Sequence, residues 1–139
     1  KYSYKNLNIN VDFGGINANL RHGDDVKFFV NEGKVSATIA DVKDYNYKIK
    51  YGIVTAGDVK IDNRFSSYNK SDLLQSNGRY GYQYDKWNAG KEVKYFYQQG
   101  GLQNNIEDKV KRDEELVFVI NKGNIVINSG VDYSILGWF

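Results

Sequence analysis

The stretch that decides the fold is LRHGDDVKFFVNEGKVSA, residues 20–37, because it recurs without gaps as VKRDEELVFVINKGNIVI, residues 110–127. Each copy has a polar turn, a nearly continuous apolar run, an Asn-x-Gly triplet and an alternating return. Asn and Gly tolerate the positive φ that a tight hairpin needs. The repeat therefore predicts two β-hairpins. Either they are hairpins that any β-sandwich reuses, or they are two related edges of a pseudo-symmetric jelly roll.

Apolar and polar residues alternate with a period of two along most of the chain, as in Leu7, Ile9, Val11 and Phe13. Gly, Asn and Asp interrupt this alternation about every ten residues, for example at Gly14-Gly15 and Gly57-Asp58. Many short alternating segments at such spacing are typical of antiparallel sandwiches and barrels. We predict an all-β fold, an antiparallel jelly-roll-like β-sandwich of about 8–10 strands.

Three segments carry separate expectations. Residues 106–117 fit either a strand and turn or a short helix, and residues 64–78 form the longest predicted loop. Leu116–Ile120 is too continuously apolar for an exposed strand, which predicts a central strand buried on both faces. Residues 133–139, with Trp138 and Phe139, are expected to close the sheet as a last strand rather than to form a binding site.

Composition limits the function. The 139 residues suit one domain, residues 1–139, and the net charge of +2 lacks the basic excess of a nucleic-acid binder. Cys is absent, which excludes disulfides and thiolate sites, and no apolar run is long enough to insert into a membrane as a helix. Neither Met nor a signal peptide is present, so we expect a processed chain or an excised module of a larger secreted or cell-surface protein.

The segment KRDEELVFVINKGNIVINSGVDYSI, residues 111–135, resembles the C-terminal strands of bacterial galactose-binding-like jelly-roll carbohydrate-binding modules. The resemblance rests on a basic residue, an apolar strand with Phe, Asn-x-Gly-Asn and a late Asp. Asp113 and Glu114 stand where those modules usually have Gly-Asp, although Gly23-Asp24 keeps that pair in the first copy. C1q- and tumour-necrosis-factor-like jelly rolls end similarly. The resemblance implies a jelly roll and, less directly, sugar binding.

The segment NGRYGYQYDKWNAGKEVKYFYQQGG, residues 77–101, has the residue types of a sugar site. A sugar ring presents an apolar face and a rim of hydroxyls, so its binding needs an aromatic platform with amides, carboxylates or Arg nearby. Trp87 lies in a polar turn and is the predicted platform. The predicted ligand-binding residues are Trp87, Asp85, Asn88, Arg79, Gln83 and Tyr84. The tyrosines of this segment also fit ordinary cross-strand packing.

Evidence for catalysis is weak. The single His22 sits in a polar turn, and Ser67-Tyr68-Asn69-Lys70 lacks the helix on which a Ser-x-x-Lys pair acts. No cofactor is predicted except a structural calcium, for which a loop-built site needs six to eight oxygens. The candidate calcium ligands are Asp24, Asp25, Asp58, Asp62 and Asp132.

Two functions stay open at this stage. The first is a non-catalytic carbohydrate-binding, lectin-like module that takes a glycan or cell-surface polysaccharide. The alternative is a structural or interaction domain, either a trimeric C1q/TNF-like head or an adhesin segment, that binds protein through an aromatic surface and forms homo-oligomers. An enzyme is not expected.

Overall fold

The computed structural model describes residues 4–65, 67–73, 92–98 and 115–130, with side chains described for 4–65 and 115–130. These residues form six β-strands in one sheet, which confirms the all-β prediction for this part of the chain. The strands are β1 (Leu7–Leu20), β2 (Val26–Ala40), β3 (Tyr47–Ile61), β4 (Ser67–Leu73), β5 (Glu92–Gln98) and β6 (Glu115–Gly130).

The order of the strands across the sheet is β1-β2-β6-β3-β5-β4. The four long strands β1, β2, β6 and β3 run parallel to one another, and among the described strands only the β3–β5 and β5–β4 pairs are antiparallel. The predicted antiparallel jelly-roll sandwich is therefore wrong. The alternating pattern misled the prediction because a period of two is the same in parallel and antiparallel strands.

The long strands fold back on themselves. Leu7 pairs with Val26, and only residues 21–25 connect β1 to β2. A straight strand of this length would span roughly 43 Å, whereas the six steps from Leu20 to Val26 reach at most about 21 Å. The connection is also turned inward, since the Asp24 N–H donates to the Arg21 carbonyl at 3.1 Å. The two halves of β1, here called its arms, must therefore lie opposite each other around a central bend.

The burial pattern places both arms of each strand around one core. In β2 the buried residues that face the core are even-numbered before the bend, as in Phe28 and Val30, and odd-numbered after it, as in Val35 and Ala37. All four belong to a single hydrophobic cluster. In β3 the core residues stay at odd positions on both arms, because one extra residue shifts the register against β6 between Ile53 and Ala56.

A row of glycines marks the bend. Gly14, Gly33, Gly123 and Gly57 pair across the four parallel strands at one level, with φ angles between 131° and 152°. A Cβ on Gly33 would lie 1.6 Å from the Gly14 carbonyl oxygen, so the backbones meet too closely for any side chain. Glycine is required here by both conformation and space.

The recurring stretch has a structural meaning different from the predicted hairpins. Val26 pairs with Leu116 and Gly33 with Gly123, so the two copies lie side by side as the parallel strands β2 and β6. The two arms of each copy do not pair with each other, and the prediction of hairpins at the edges of a jelly roll is wrong. The rings of Phe28 and Phe118 pack with centroids 5.7 Å apart, as the repeat places them.

The prediction for Leu116–Ile120 is confirmed. These residues lie in β6, between β2 and β3, and every one of them is buried, including Val117 and Val119 on the face opposite the core. Ile125 and Ile127 are fully buried on the second arm. The predicted closing strand at 133–139 and the ambiguous segment 106–114 lie outside the described residues.

Candidate interaction surface

The predicted sugar-binding residues all lie between positions 79 and 88, outside the part of the chain that the structure describes. They are Trp87, Asp85, Asn88, Arg79, Gln83 and Tyr84. Their assignment stays a prediction from sequence.

Two of the predicted calcium ligands, Asp24 and Asp25, lie in the connector between β1 and β2 and are buried. The Asp24 carboxylate accepts hydrogen bonds from the Tyr4 N–H at 2.7 Å and the Arg21 N–H at 2.8 Å, one on each oxygen. Asp25 forms an ion pair with Lys27 at 3.4 Å. These contacts give both buried carboxylates a structural role. Asp24 links the connector to Tyr4, and Asp25 links it to Lys27 of β2.

Asp58 lies within β3, whereas Asp62 directly follows the last residue of that strand. Asp58 is exposed. Asp62 is held by the Arg64 guanidinium at 2.7 Å, and the Ser129 hydroxyl donates to it at 3.4 Å, which links the ends of β3 and β6. The hydrogen bonds from Arg64 hold the pKa of Asp62 well below its usual range.

Calcium binding stays a prediction, and Asp132 lies outside the described residues. Within residues 4–65 and 115–130, no three His, Asp or Glu side chains come together as a group that could hold a metal ion.

His22 lies in the turn between β1 and β2 and is exposed, as expected of a turn residue. Its ring stacks on Tyr45, from the connector between β2 and β3, with centroids 4.3 Å apart and planes 14° apart. Tyr47 meets His22 edge-on at 6.5 Å, and its hydroxyl donates to the Ala40 carbonyl at 2.7 Å. The two connectors thus present an aromatic pair to solvent.

A buried ion cluster joins β6 to β3. The Glu115 carboxylate lies 3.1 Å from the Lys48 amine and 3.2 Å from the Lys50 amine, and its side chain is only 3% exposed. Glu115 pairs with Lys48 in the sheet, so the cluster fixes the first residue of β6 against β3. Charges this buried are tolerated when they are paired. The cluster therefore helps to set the register of β6 against β3.

The outer edge of β1, which the sequence pattern did not predict, is one of the two edges of the described sheet. No described strand pairs with β1 on the side away from β2. Its inward apolar row is only partly buried, at Leu7, Ile9, Val11, Ile16 and Ala18, whereas the residues of β2 at the same levels are almost fully buried. Phe13, beside the bend, is 72% exposed.

Backbone groups of β1 also face this open side. The Leu7 N–H donates to the Asp25 carbonyl on the β2 side at 3.1 Å. Since successive residues of a strand direct their backbone groups to alternate sides, Asn8 and Asn10 direct theirs to the free edge. Long edge strands are normally protected by Lys, Pro or bulges, but β1 carries one charged residue, Asp12, and no Pro.

A signal for the bend of β1 was present in the sequence. The apolar residues change from odd to even positions at Gly14-Gly15, since Leu7, Ile9 and Val11 are followed by Ile16, Ala18 and Leu20. A turn between paired strands does not require that change, whereas a bend with both arms on one core does. The five-residue connector favours a hairpin on sequence grounds, because parallel strands usually need a connection of about a dozen residues.

No family model, curated protein or solved structure matches this chain. The resemblance to jelly-roll carbohydrate-binding modules therefore rests on the sequence motif alone. The described residues contain no helix with the length and apolar character needed to cross a membrane.

Proposed function

We propose that the chain is a non-catalytic structural and interaction module that binds other polypeptide chains by adding a strand to the free edge of β1. The observation that carries this proposal is the open edge itself. No described strand pairs with the outer side of β1, and its apolar row is half-buried, whereas the inner strands of the described sheet have a neighbour on both sides. Strand addition to such an edge is an established mode of peptide recognition, in which main-chain hydrogen bonds supply affinity.

The four parallel strands support the proposal because they show the residue pattern that a strand added to this edge would need. β2, β6 and β3 all follow the pattern of an apolar arm, a bend glycine and a second apolar arm. A partner strand with the same spacing would continue the row of inward side chains and the row of glycines. Asn121 illustrates how polar residues join at the bend, since its amide donates to Asn31 at 2.8 Å and accepts from Thr55 at 2.5 Å.

The proposal is tested with a synthetic peptide of residues 26–40, the natural neighbour of β1, extended with lysines for solubility. Titrated into the ¹⁵N-labelled protein, it should shift the amide signals of Asn8 and Asn10 more than those of Ile9, whose N–H already faces β2. A scrambled peptide of the same composition is the control. No shift at millimolar peptide would reject strand addition at this edge.

Glycan binding stays a second candidate, favoured by the exposed Tyr45–His22 stack together with the predicted platform at Trp87. Aromatic rings with a wet rim suit the apolar face of a sugar. A glycan array with the wild-type protein, Trp87→Ala and Tyr45→Ala separates the two positions. If neither substitution changes the array pattern, the aromatic residues do not bind the glycan.

A further inference from the structure

The sequence of β1 is nearly a palindrome about its bend. LNINV, residues 7–11, is followed after Asp12-Phe13-Gly14-Gly15 by INANL, residues 16–20, which reads backwards as LNANI. The matched positions are Leu7 with Leu20, Asn8 with Asn19, Ile9 with Ala18, Asn10 with Asn17, and Val11 with Ile16. Parallel stacking on β2 does not require this symmetry, and β2 itself lacks it on its outer face, where Lys27 and Phe29 match Thr38 and Ser36.

A palindrome on an open edge is the pattern that two-fold association requires. In a two-fold interface residue i of one copy contacts residue j of the other, and j contacts i. The two-fold axis would lie between the β1 strands of the two copies, parallel to the plane that contains the two arms, and would pass through the level of the bend. It would place the first arm of one copy antiparallel to the second arm of the other. Inward residues would then meet inward residues, and each bend would meet the other bend.

We propose that the partner of the β1 edge is the β1 edge of a second copy of this chain, related by such a two-fold axis. This inference rests on the proposed function, because it names the strand that the edge accepts. The copies pair Leu7 with the second copy's Leu20, Ile9 with its Ala18 and Val11 with its Ile16. A large residue faces a small one at the middle of the arm, and the half-buried apolar rows of the two copies cover each other.

The outer face of β1 is consistent with this pairing. Asn8, Asn10, Asn17 and Asn19 are exposed, although Asn is depleted in strands. In the two-fold arrangement they form two kinds of Asn–Asn pair, and each Asp12 faces a Gly15 rather than another carboxylate. Asn31 and Asn121 already form such a side-chain pair between neighbouring strands of this sheet. The edge has one charge per copy, so like charges do not oppose its association with itself.

Sedimentation equilibrium should show a monomer–dimer equilibrium with a dissociation constant in the micromolar range, as expected of a small interface. Asn10→Pro removes an N–H that faces the free edge, and Asn10→Ala removes the same side chain but keeps that N–H. The proline variant should weaken dimerisation at least tenfold relative to the alanine variant, with unchanged circular dichroism. Equal effects of the two variants would overturn the proposal.

Charge pairs test the two-fold register. In the variant Asn10→Lys/Asn17→Asp each lysine faces an aspartate of the other copy, and dimerisation should strengthen about two- to tenfold. In Asn10→Lys/Asn17→Lys like charges face each other and dimerisation should weaken by a similar factor. A parallel pairing of the two edges would reverse the first result, because position 10 would then face position 10.

Cysteine variants give an independent readout, since the chain has no Cys of its own. An oxidised mixture of Asn10→Cys and Asn17→Cys proteins should form a disulfide-linked heterodimer, and neither protein alone should form a homodimer through these positions. A strictly monomeric protein at millimolar concentration overturns the second-copy proposal. If the peptide of residues 26–40 still binds such a monomer, strand addition stands and only the partner is wrong.

Discussion

Gly33 is the residue at which conformation and space combine most tightly. Its φ is 152°, and its missing Cβ would collide with the Gly14 backbone. Gly14 has a similar φ of 131°, but a Cβ there would meet only the Val11 side chain at 3.8 Å. Comparing a substitution at Gly14 with one at Gly33 therefore separates the conformational cost of an added side chain from its steric cost.

We expect Gly14→Ala to lower the free energy of unfolding by about 1–3 kcal/mol, the cost of an unfavourable backbone conformation. Gly33→Ala adds a clash between two backbones and should lower it by more than about 4 kcal/mol. Urea unfolding followed by circular dichroism measures both. Equal costs at the two positions would mean that the neighbouring strands can move apart at the bend.

Asp62 makes the stability depend on pH. Because hydrogen bonds from Arg64 lower the pKa of Asp62 in the folded protein, its ionised form stabilises the fold above the ordinary aspartate pKa of 3.8. That contribution is lost as the pH falls below this value and through the lowered pKa.

Asp62→Asn should therefore lower the melting temperature at pH 7 and remove part of its decrease between pH 4 and pH 2. The control is Asp58→Asn, which removes an exposed carboxylate from β3, the strand that ends just before Asp62. If the melting temperatures of the wild type and of Asp62→Asn fell equally with pH across this range, Asp62 would not be a source of the pH dependence.

At the scale of the element, the ion cluster of Glu115, Lys48 and Lys50 fixes where β6 starts against β3. Glu115→Leu leaves two lysine amines in a largely buried place, and we expect it to lower the free energy of unfolding by about 3–5 kcal/mol. Replacing all three residues with leucine removes the buried charges together and should recover most of that loss. Denaturant midpoints of the single and triple variants test this, and a single-variant loss below about 1 kcal/mol would contradict it.

The elements show which features the sequence predicts and which it does not. Alternation predicts the all-β fold, and the continuous run Leu116–Ile120 predicts the central strand, because burial on both faces leaves a direct mark on composition. Strand direction leaves no such mark. A glycine bend and a hairpin turn require the same residue types, so Asn31-Glu32-Gly33 reads equally well as either.

The open edge could be predicted only with the direction of the strands known. Once β1 is known to bend, the shift of its apolar residues between positions 11 and 16 follows from the shared core. The predicted glycan residues at 79–88 come from residue type alone and lie outside the described residues. Nothing in their spacing fixes which strands would hold them together.

At the scale of the molecule, the order of strands is unlike the order of the sequence. β6 comes last along the described chain but lies between β2 and β3. The connector between β2 and β3 passes its end, where the Asp41 N–H donates to the Gly130 carbonyl at 3.0 Å. Without β6, β3 loses the one described strand that runs parallel to it, and β2 keeps only β1 as a described neighbour.

A chain ending at residue 114 should therefore lose cooperative unfolding, as it also loses the fully buried side chains of Phe118 and Ile125. Adding a peptide of residues 115–130 should restore it. The same peptide with Gly123→Ala is the control and should fail, because its Cβ would lie 1.8 Å from the Gly33 carbonyl oxygen. Cooperative unfolding of the truncated chain alone, measured by calorimetry, would show that β6 is dispensable.

The central position of β6 has a consequence for synthesis in the cell. Domains generally begin to fold while the ribosome is still extending them, from the N-terminal end. Here residues 26–61 leave the ribosome long before residues 115–130. The apolar faces of β2 and β3 therefore stay uncovered until β6, which lies between these two strands, has been synthesised. We expect nascent chains to stay in a state that chaperones recognise until residues 115–130 have left the ribosome. Synonymous codons that slow translation between residues 61 and 115 should therefore reduce the soluble yield.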